Sequence, residues 1–339
     1  MAFGESRLST IEARPVNGAV TVTAPARLHL GFFDLNGDLG RRFGSLGITL
    51  DRPATRVTTV PAARPEVAGP SASRAGSFAR QAGELFGVAG HCGLTVERAI
   101  PEHSGLGSGT QMALATGLAV SRLYGMDIEP RTIAGLLDRG QRSGIGIGAF
   151  EQGGVLLDGG NASGDAPPPI LARFEFPEAW RVILIFDRSF AGVHGPDEAE
   201  AFRRLPPFPA ERAAHLCRVV LMRALPAIAE GDIDTFGTAV AELQRAVGDH
   251  FAPVQGGRYA STDVAEVLTW LESQQVTGVG QSSWGPTGFA LVRTEREARA
   301  LIEAAKRRWA GRGGLDFMLC RGNNTGGRIE IGEPGGRHG

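Results

Sequence analysis

Lysine is almost missing from this chain of 339 residues: Lys306 is the only one among 35 basic residues, and the rest are arginine. Any cationic contact to an anion must therefore come from arginine, backbone N–H groups or a metal ion. Cysteine is scarce too. Cys92, Cys217 and Cys320 lie far apart with no CxxC spacing, which excludes a disulfide framework and suits reduced thiols. The seven histidines form no HxxxH pair, so a structural zinc site has little support. An excess of charge of one sign is also absent. The formal net charge of −1 argues against a general nucleic-acid or membrane-surface binder, which needs a strongly basic face. No apolar run approaches the ~20 residues of a membrane helix. The opening MAFGESRLSTIEARPVNG carries acidic residues and no apolar core, unlike a secretory signal, so the expected address is the cytoplasm.

What is present is a globular composition, 42% hydrophobic and 21% charged, enough for two packed lobes. Residues 1–18 and 332–339 read as flexible tails. Val20–Ala24, Leu28–Leu35, Leu46–Leu50 and Thr55–Val60 read as strands, 61–76 as a loop, Ser77–Phe86 as a helix and Gly93–Arg98 as a strand. Helical spacing covers Thr110–Tyr124 and Thr132–Arg139. Loop-forming residues crowd into GGNASGDAPPPI (159–170), which predicts a boundary between units at 19–165 and 170–331. Beyond it, Arg181–Phe186, Val276–Val279, Gly288–Val292 and Phe317–Cys320 read as strands. Glu198–Arg204, Glu211–Glu230, Ile233–Val247, Val264–Ser273 and Glu295–Trp309 read as helices. Strands and helices mix without strict βαβ alternation, so the class is α+β.

The segment Pro101–Thr110, PEHSGLGSGT, follows a strand and opens a helix. Its glycines permit tight turns and close backbone approach. The helix start adds unsatisfied N–H groups and the positive end of a dipole. Together with the hydroxyls of Ser104, Ser108 and Thr110, this predicts an anion site at His103, Ser104, Gly105, Gly107, Ser108, Gly109 and Thr110. No GK[ST] follows, so it is not a Walker A loop. Three stretches in order, Ala24–Gly31 (APARLHLG), the Pro101 loop and Thr277–Thr287 (TGVGQSSWGPT), resemble the three motifs of the GHMP kinase superfamily. That resemblance implies a two-lobed α+β fold, with a ribosomal-protein-S5-like N-terminal lobe, a ferredoxin-like C-terminal lobe and a ligand cleft between them.

Departures from the kinase pattern narrow the reading. Gly109 stands where family kinases carry a magnesium-linked serine, Arg27 where they usually carry lysine, and Gly146 where many carry the catalytic aspartate of SGxD. Segments 24–50, 142–160 and 280–291 are similar to the non-kinase branch of β-ribofuranosylaminobenzene 5′-phosphate synthases. This resemblance implies decarboxylating condensation of phosphoribosyl diphosphate with 4-hydroxybenzoate or 4-aminobenzoate in tetrahydromethanopterin biosynthesis, with Mg2+ and a homodimer. The alternatives are an ATP-dependent small-molecule kinase and a non-catalytic binding protein on the same fold.

Such chemistry needs guanidinium forks on phosphate oxygens, which makes Arg27 and Arg142 candidates, with Arg41 and Arg42 either ligands or solvated loop charge. A base for the phenol or amine proton is sought among His29, Asp34, Glu151 and Asp187. Gln281, Ser282, Ser283 and Trp284 form a polar–aromatic loop in which Trp284 either stacks on a substrate ring or sits in the core. Asn323 and Asn324 read as a turn.

Overall fold

The computed structural model describes Pro15 and residues 18–88, 91–162, 166–190 and 203–332. The expected tails lie almost wholly outside these, as does most of the expected helix at 198–204. The two expected opening strands are one, β1 (Val20–Asp34), and the next two are one, β2 (Gly44–Ala62). β3 (Glu66–Ala68) and the start of α1 (Ala72–Phe86) occupy the expected loop at 61–76, and β4 (His91–Arg98), α2 (Ser108–Leu123) and α3 (Pro130–Leu136) follow as expected. α4 (Ile145–Glu151), β5 (Val155–Asp158) and β6 (Ile170–Phe174) carry no clear periodicity in the sequence.

After β7 (Arg181–Asp187), the expected helix 211–230 is divided into α5 (Ala210–Val219), a π-helical turn (Val220–Ala224) and α6 (Leu225–Glu230). Pro226 explains the division, because it has no N–H for an i−4 carbonyl and displaces the ladder. α7 (Ile233–Gln255), α8 (Thr262–Ser273), β8 (Gly278–Gln281), β9 (Gly288–Val292), α9 (Glu295–Arg308), β10 (Leu315–Cys320) and β11 (Arg328–Ile331) complete the chain.

The first sheet runs β11-β1-β2-β4-β3, with β5 on β2 and β6 on β5; the second runs β10-β7-β9-β8. β6 and β11 therefore belong to the first sheet, so the lobes do not divide at 159–170 by strand pairing. β2 pairs with β1 along its length but changes its other partner, from β5 at Ser45–Ile48 to β4 at Arg56–Ala62. Register shifts between Pro25 and Arg27 and between His29 and Gly31 accompany that change. Irregularities of this kind re-aim side chains next to functional sites, and Arg27 and His29 lie between two of them.

Helices α1–α3 cover one face of the first sheet through Val22, Val57, Leu94, Leu114 and Leu118. The other face, with Leu28, Leu30 and Ile48, shares a core with α5–α7 and with Val182, Leu184 and Leu291 of the second sheet. Ile183 and Ile185 turn the opposite way onto α8 and α9. β7 is thus buried on both faces, which is what its unbroken apolar run requires. Among the described residues, no helix is long and apolar enough to cross a membrane.

Candidate anion-binding site

Three segments distant in sequence meet where β1 passes the start of α2. The Arg27 N–H donates to the Leu106 carbonyl at 3.1 Å, and its guanidinium donates to the Gly105 carbonyl. Ser282 Oγ donates to the same Gly105 carbonyl at 2.7 Å and accepts the His29 N–H at 3.0 Å. Glycine is what allows this. Gly105 and Gly107 hold φ of 76° and 82°, and a Cβ on Gly107 would lie 3.0 Å from Arg27 Cγ. A Cβ on Gly285 would fall on the backbone of Ser104 and Gly105. Gly285→Ala is accordingly expected to destabilise the fold by about 1–3 kcal/mol through overpacking against backbone that cannot yield. A thermal melt matching the unsubstituted protein would contradict this contact.

Gly107 caps α2 with no side-chain hydrogen bond, and no acidic residue stands in the first turn. The helix start therefore keeps N–H groups and positive dipole free of a side-chain cap. Thr110 of its first turn lines a cavity of about 230 Å3 with Arg27, His29, Arg139, Arg142 and Ser283 among others, whereas Ser104, Gly105, Gly107, Ser108 and Gly109 are not among the lining residues. Arg74 and Arg139 reach toward Gly109, with nitrogens 3.7 and 3.8 Å from where its Cβ would stand. Burial pulls Arg139 below the usual guanidinium range; Asp138 opposes that shift and Arg74 adds to it. Glu102, 3.8 Å from Arg74, offsets part of this positive charge, and an anion in the cavity that Arg139 lines would offset more.

His29 is buried at 2% exposure, its ring 4.6 Å from that of Phe32. Burial, reinforced by the Arg27 charge, holds it well below the ordinary histidine range. Neither ring nitrogen has a hydrogen-bond partner among the described residues. It is therefore a neutral imidazole at physiological pH, with one nitrogen able to accept a proton.

The 142–146 segment is organised by a residue that sequence reasoning missed. Asp158, fully buried, accepts hydrogen bonds from Ser45 N–H and Oγ, Ser143 Oγ, Gly144 N–H and Gly160 N–H. Burial pushes its carboxyl up, against the pull of these donors. Gly146 packs on α2, where a Cβ would stand 3.2 Å from Thr110 Cγ2, and its carbonyl accepts from buried Gln111 Nε2 at 2.6 Å.

The other expected site residues are placed elsewhere. Asp34 closes a turn, its Oδ1 accepting the N–H groups of Asn36 and Gly37 at 2.9 and 3.1 Å. Asp187 accepts from Ser189 and from Ser261, the residue capping α8; burial alone would raise it, but these bonds hold its carboxyl below the usual range. Neither lines the cavity. Ser104 Oγ donates to the Pro101 carbonyl, and His103 lies beside Glu102 at 3.9 Å. Trp284 is core, 4.4 Å from the Phe251 ring, and Gln281 spans Ala260 and Ser283. Arg41 and Arg42 donate to the carbonyls of Gly159, Gly160 and Leu35. Glu151 lies 3.7 Å from Arg131, and Asn323 and Asn324 form a turn against Phe176. Arg74, Asp138 and Arg139 were missed as well. The lysine shortage was their available signal, since it leaves anion contacts to arginine, but it does not say which arginine.

Residues 73–154 match the GHMP kinases N terminal domain and residues 224–311 the GHMP kinases C terminal domain. Among solved structures, the chain resembles homoserine kinase from Cytophaga hutchinsonii, with a TM-score of 0.66 at 16% identity over 94% of this chain and 99% of that one. It also resembles mevalonate diphosphate decarboxylase from Staphylococcus aureus, with a TM-score of 0.65 at 14% identity over 93% and 98%. At such identities the likeness shows the fold alone. The sequence is 33% identical to beta-ribofuranosylphenol 5'-phosphate synthase from Methanothermobacter thermautotrophicus, over 80% of this chain and 88% of that protein. It is 30% identical to the protein of the same name from Methanocaldococcus jannaschii, over 91% and 99%. The chain therefore belongs to the β-ribofuranosylphenol 5′-phosphate synthase family, pentosyltransferase enzymes built on the GHMP kinase fold.

Proposed function

We propose that the protein condenses phosphoribosyl diphosphate with 4-hydroxybenzoate or 4-aminobenzoate, releasing diphosphate and CO2, in tetrahydromethanopterin biosynthesis. The observation that carries this reading is the arginine-lined cavity at the uncapped start of α2, with glycine at 146. The bond from ribose C1 to the diphosphate oxygen breaks, and the ring carbon bearing the carboxylate forms a bond to C1. The carboxylate then leaves as CO2, and its bonding pair restores the aromatic ring. Arg27, Arg139, Arg142 and the α2 N–H groups bind the phosphates and stabilise charge growing on the leaving diphosphate. His29 accepts the phenol or amine proton as electron density moves to the para carbon and returns it as the ring recovers. The name of these relatives refers to a ribofuranosylphenol, which favours 4-hydroxybenzoate as acceptor.

Mg2+ belongs to the proposal. Among the described residues no group of three or more His, Cys, Asp or Glu is placed to hold a metal. The cavity offers oxygen from Asp138 and Thr110, which fits an ion carried mainly by diphosphate and water. Such an ion would neutralise the leaving group. The proposal also includes a homodimer, with a mass in solution of twice 35.7 kDa.

A comparison of donors tests the reading. Phosphoribosyl diphosphate should be consumed only when a benzoate acceptor is present, and ATP should not be turned over with homoserine-like alcohols or sugars. ADP formation without phosphoribosyl diphosphate turnover would return the site to phosphoryl transfer.

A further inference from the structure

Beyond His29 the wall of the cleft becomes aromatic. The His29 and Phe32 rings lie 4.6 Å apart, and Phe43 meets Phe32 edge-on at 5.6 Å. Phe32 lines the arginine cavity. Phe43 lines a second cavity, of about 470 Å3, that shares Asp138, Arg139, Gln141 and Arg142 with the first. The 138–142 loop thus lines an arginine-rich cavity that includes Phe32 and a second cavity that includes Phe43.

Phe43 is held there against its preference. It is partly buried with φ of 73°, in the left-handed region that a bulky L-residue seldom adopts. Its N–H donates to the Asp34 carbonyl at 2.7 Å, and the Asp34 carboxylate fixes the turn between them. Arg41 fastens the same turn to the 159–160 carbonyls, and Arg42 lies 4.9 Å from the Phe43 ring centroid. Glycine would satisfy this backbone without strain. A bulky residue kept in this strained conformation, with its ring packed on Phe32 and Arg42 and lining the second cavity, points to a bound partner that uses the rest of that ring.

Building on the transferase reading above, we infer that Phe43, together with Phe32, is the platform for the acceptor's aromatic ring and sets acceptor affinity. A flat aromatic acid suits this wall, since its ring packs offset on phenyl groups, while Arg139 and Arg142, which line both cavities, are shared between its carboxylate and the phosphates. Phe43 acts here as a specificity residue and takes no part in bond making.

The test starts from the unsubstituted enzyme, saturated with each substrate in turn. If it forms no product from any para-substituted benzoate, the transferase reading falls and the platform with it, before any variant is made. With turnover established, Phe43→Gly, whose backbone suits φ of 73°, is expected to fold and to melt a few degrees lower, relief of backbone strain offsetting part of the packing lost against Phe32. Its KM for the aromatic acid should rise about tenfold, the loss of one aromatic stacking partner, with the KM for phosphoribosyl diphosphate changed by less than about twofold. Phe43→Tyr should restore the acid's KM. An unchanged acid KM in Phe43→Gly, or an equal rise in both KM values, overturns the inference. If the glycine variant does not fold, Phe43→Leu is read by the same split.

Discussion

Arg27→Ala is expected to lower kcat/KM for phosphoribosyl diphosphate by about a hundred- to a thousandfold, the cost of one preorganised donor to a developing anion. The side chain has two tasks at one place. It lines the anion cavity, and it donates to the Gly105 carbonyl beneath the phosphate loop. The second task is shared, because Ser282 Oγ donates to the same oxygen at 2.7 Å. The loop should therefore stay in place, with a loss of folding stability of no more than about 1–2 kcal/mol. Arg27→Lys should recover only part of the activity, since an ammonium is a point charge and cannot fork onto two phosphate oxygens. Unchanged kcat and KM in Arg27→Ala would remove Arg27 from the site.

His29→Asn is expected to cut kcat by about a hundred- to ten-thousandfold, the usual contribution of a positioned base, with little change in the KM for phosphoribosyl diphosphate. It should also alter the pH response. Burial and then Arg27 hold the folded imidazole below its unfolded value near 6.5, so on acidification the unfolded chain takes the proton first. The stability owed to the neutral ring is complete above about pH 6.5 and is lost as pH falls toward the folded value. Melting temperatures should therefore begin to fall below about pH 6.5, whereas kcat should hold until the pH reaches the lower value of the folded imidazole, and the asparagine variant should melt with a flatter pH dependence. An acid limb in kcat that survives unchanged in His29→Asn would assign the base to another group.

Much of the fold was legible because local signals and tertiary demands agree. The apolar run at Arg181–Phe186 is a strand buried on both faces, and the glycines before α2 mark positive φ where the chain must turn. α4 was not legible, because IGIGAFE carries two glycines that oppose helix formation. Close packing requires them: a Cβ on Gly148 would lie 2.8 Å from Ile170, a residue far away in sequence. The same division holds in the site. Arg27 and His29 lie within a recognisable motif, and both line the cavity. Asp34 and Asp187 ended strands as functional carboxylates often do, and only their neighbours reveal a turn and a helix cap. Arg74 comes from α1 and Arg139 from the loop after α3, and nothing in the spacing of two arginines so far apart announces that they meet over Gly109. Asp158 escaped for the opposite reason, since its five donors are spread from Ser45 to Gly160.

The most direct measurement is the release of labelled CO2 from carboxyl-labelled 4-hydroxybenzoate or 4-aminobenzoate in the presence of phosphoribosyl diphosphate and Mg2+. The arrangement of Arg27, His29, Arg139 and Arg142 predicts one CO2 for each diphosphate formed. Diphosphate without CO2, or no CO2 from either acid, would contradict it.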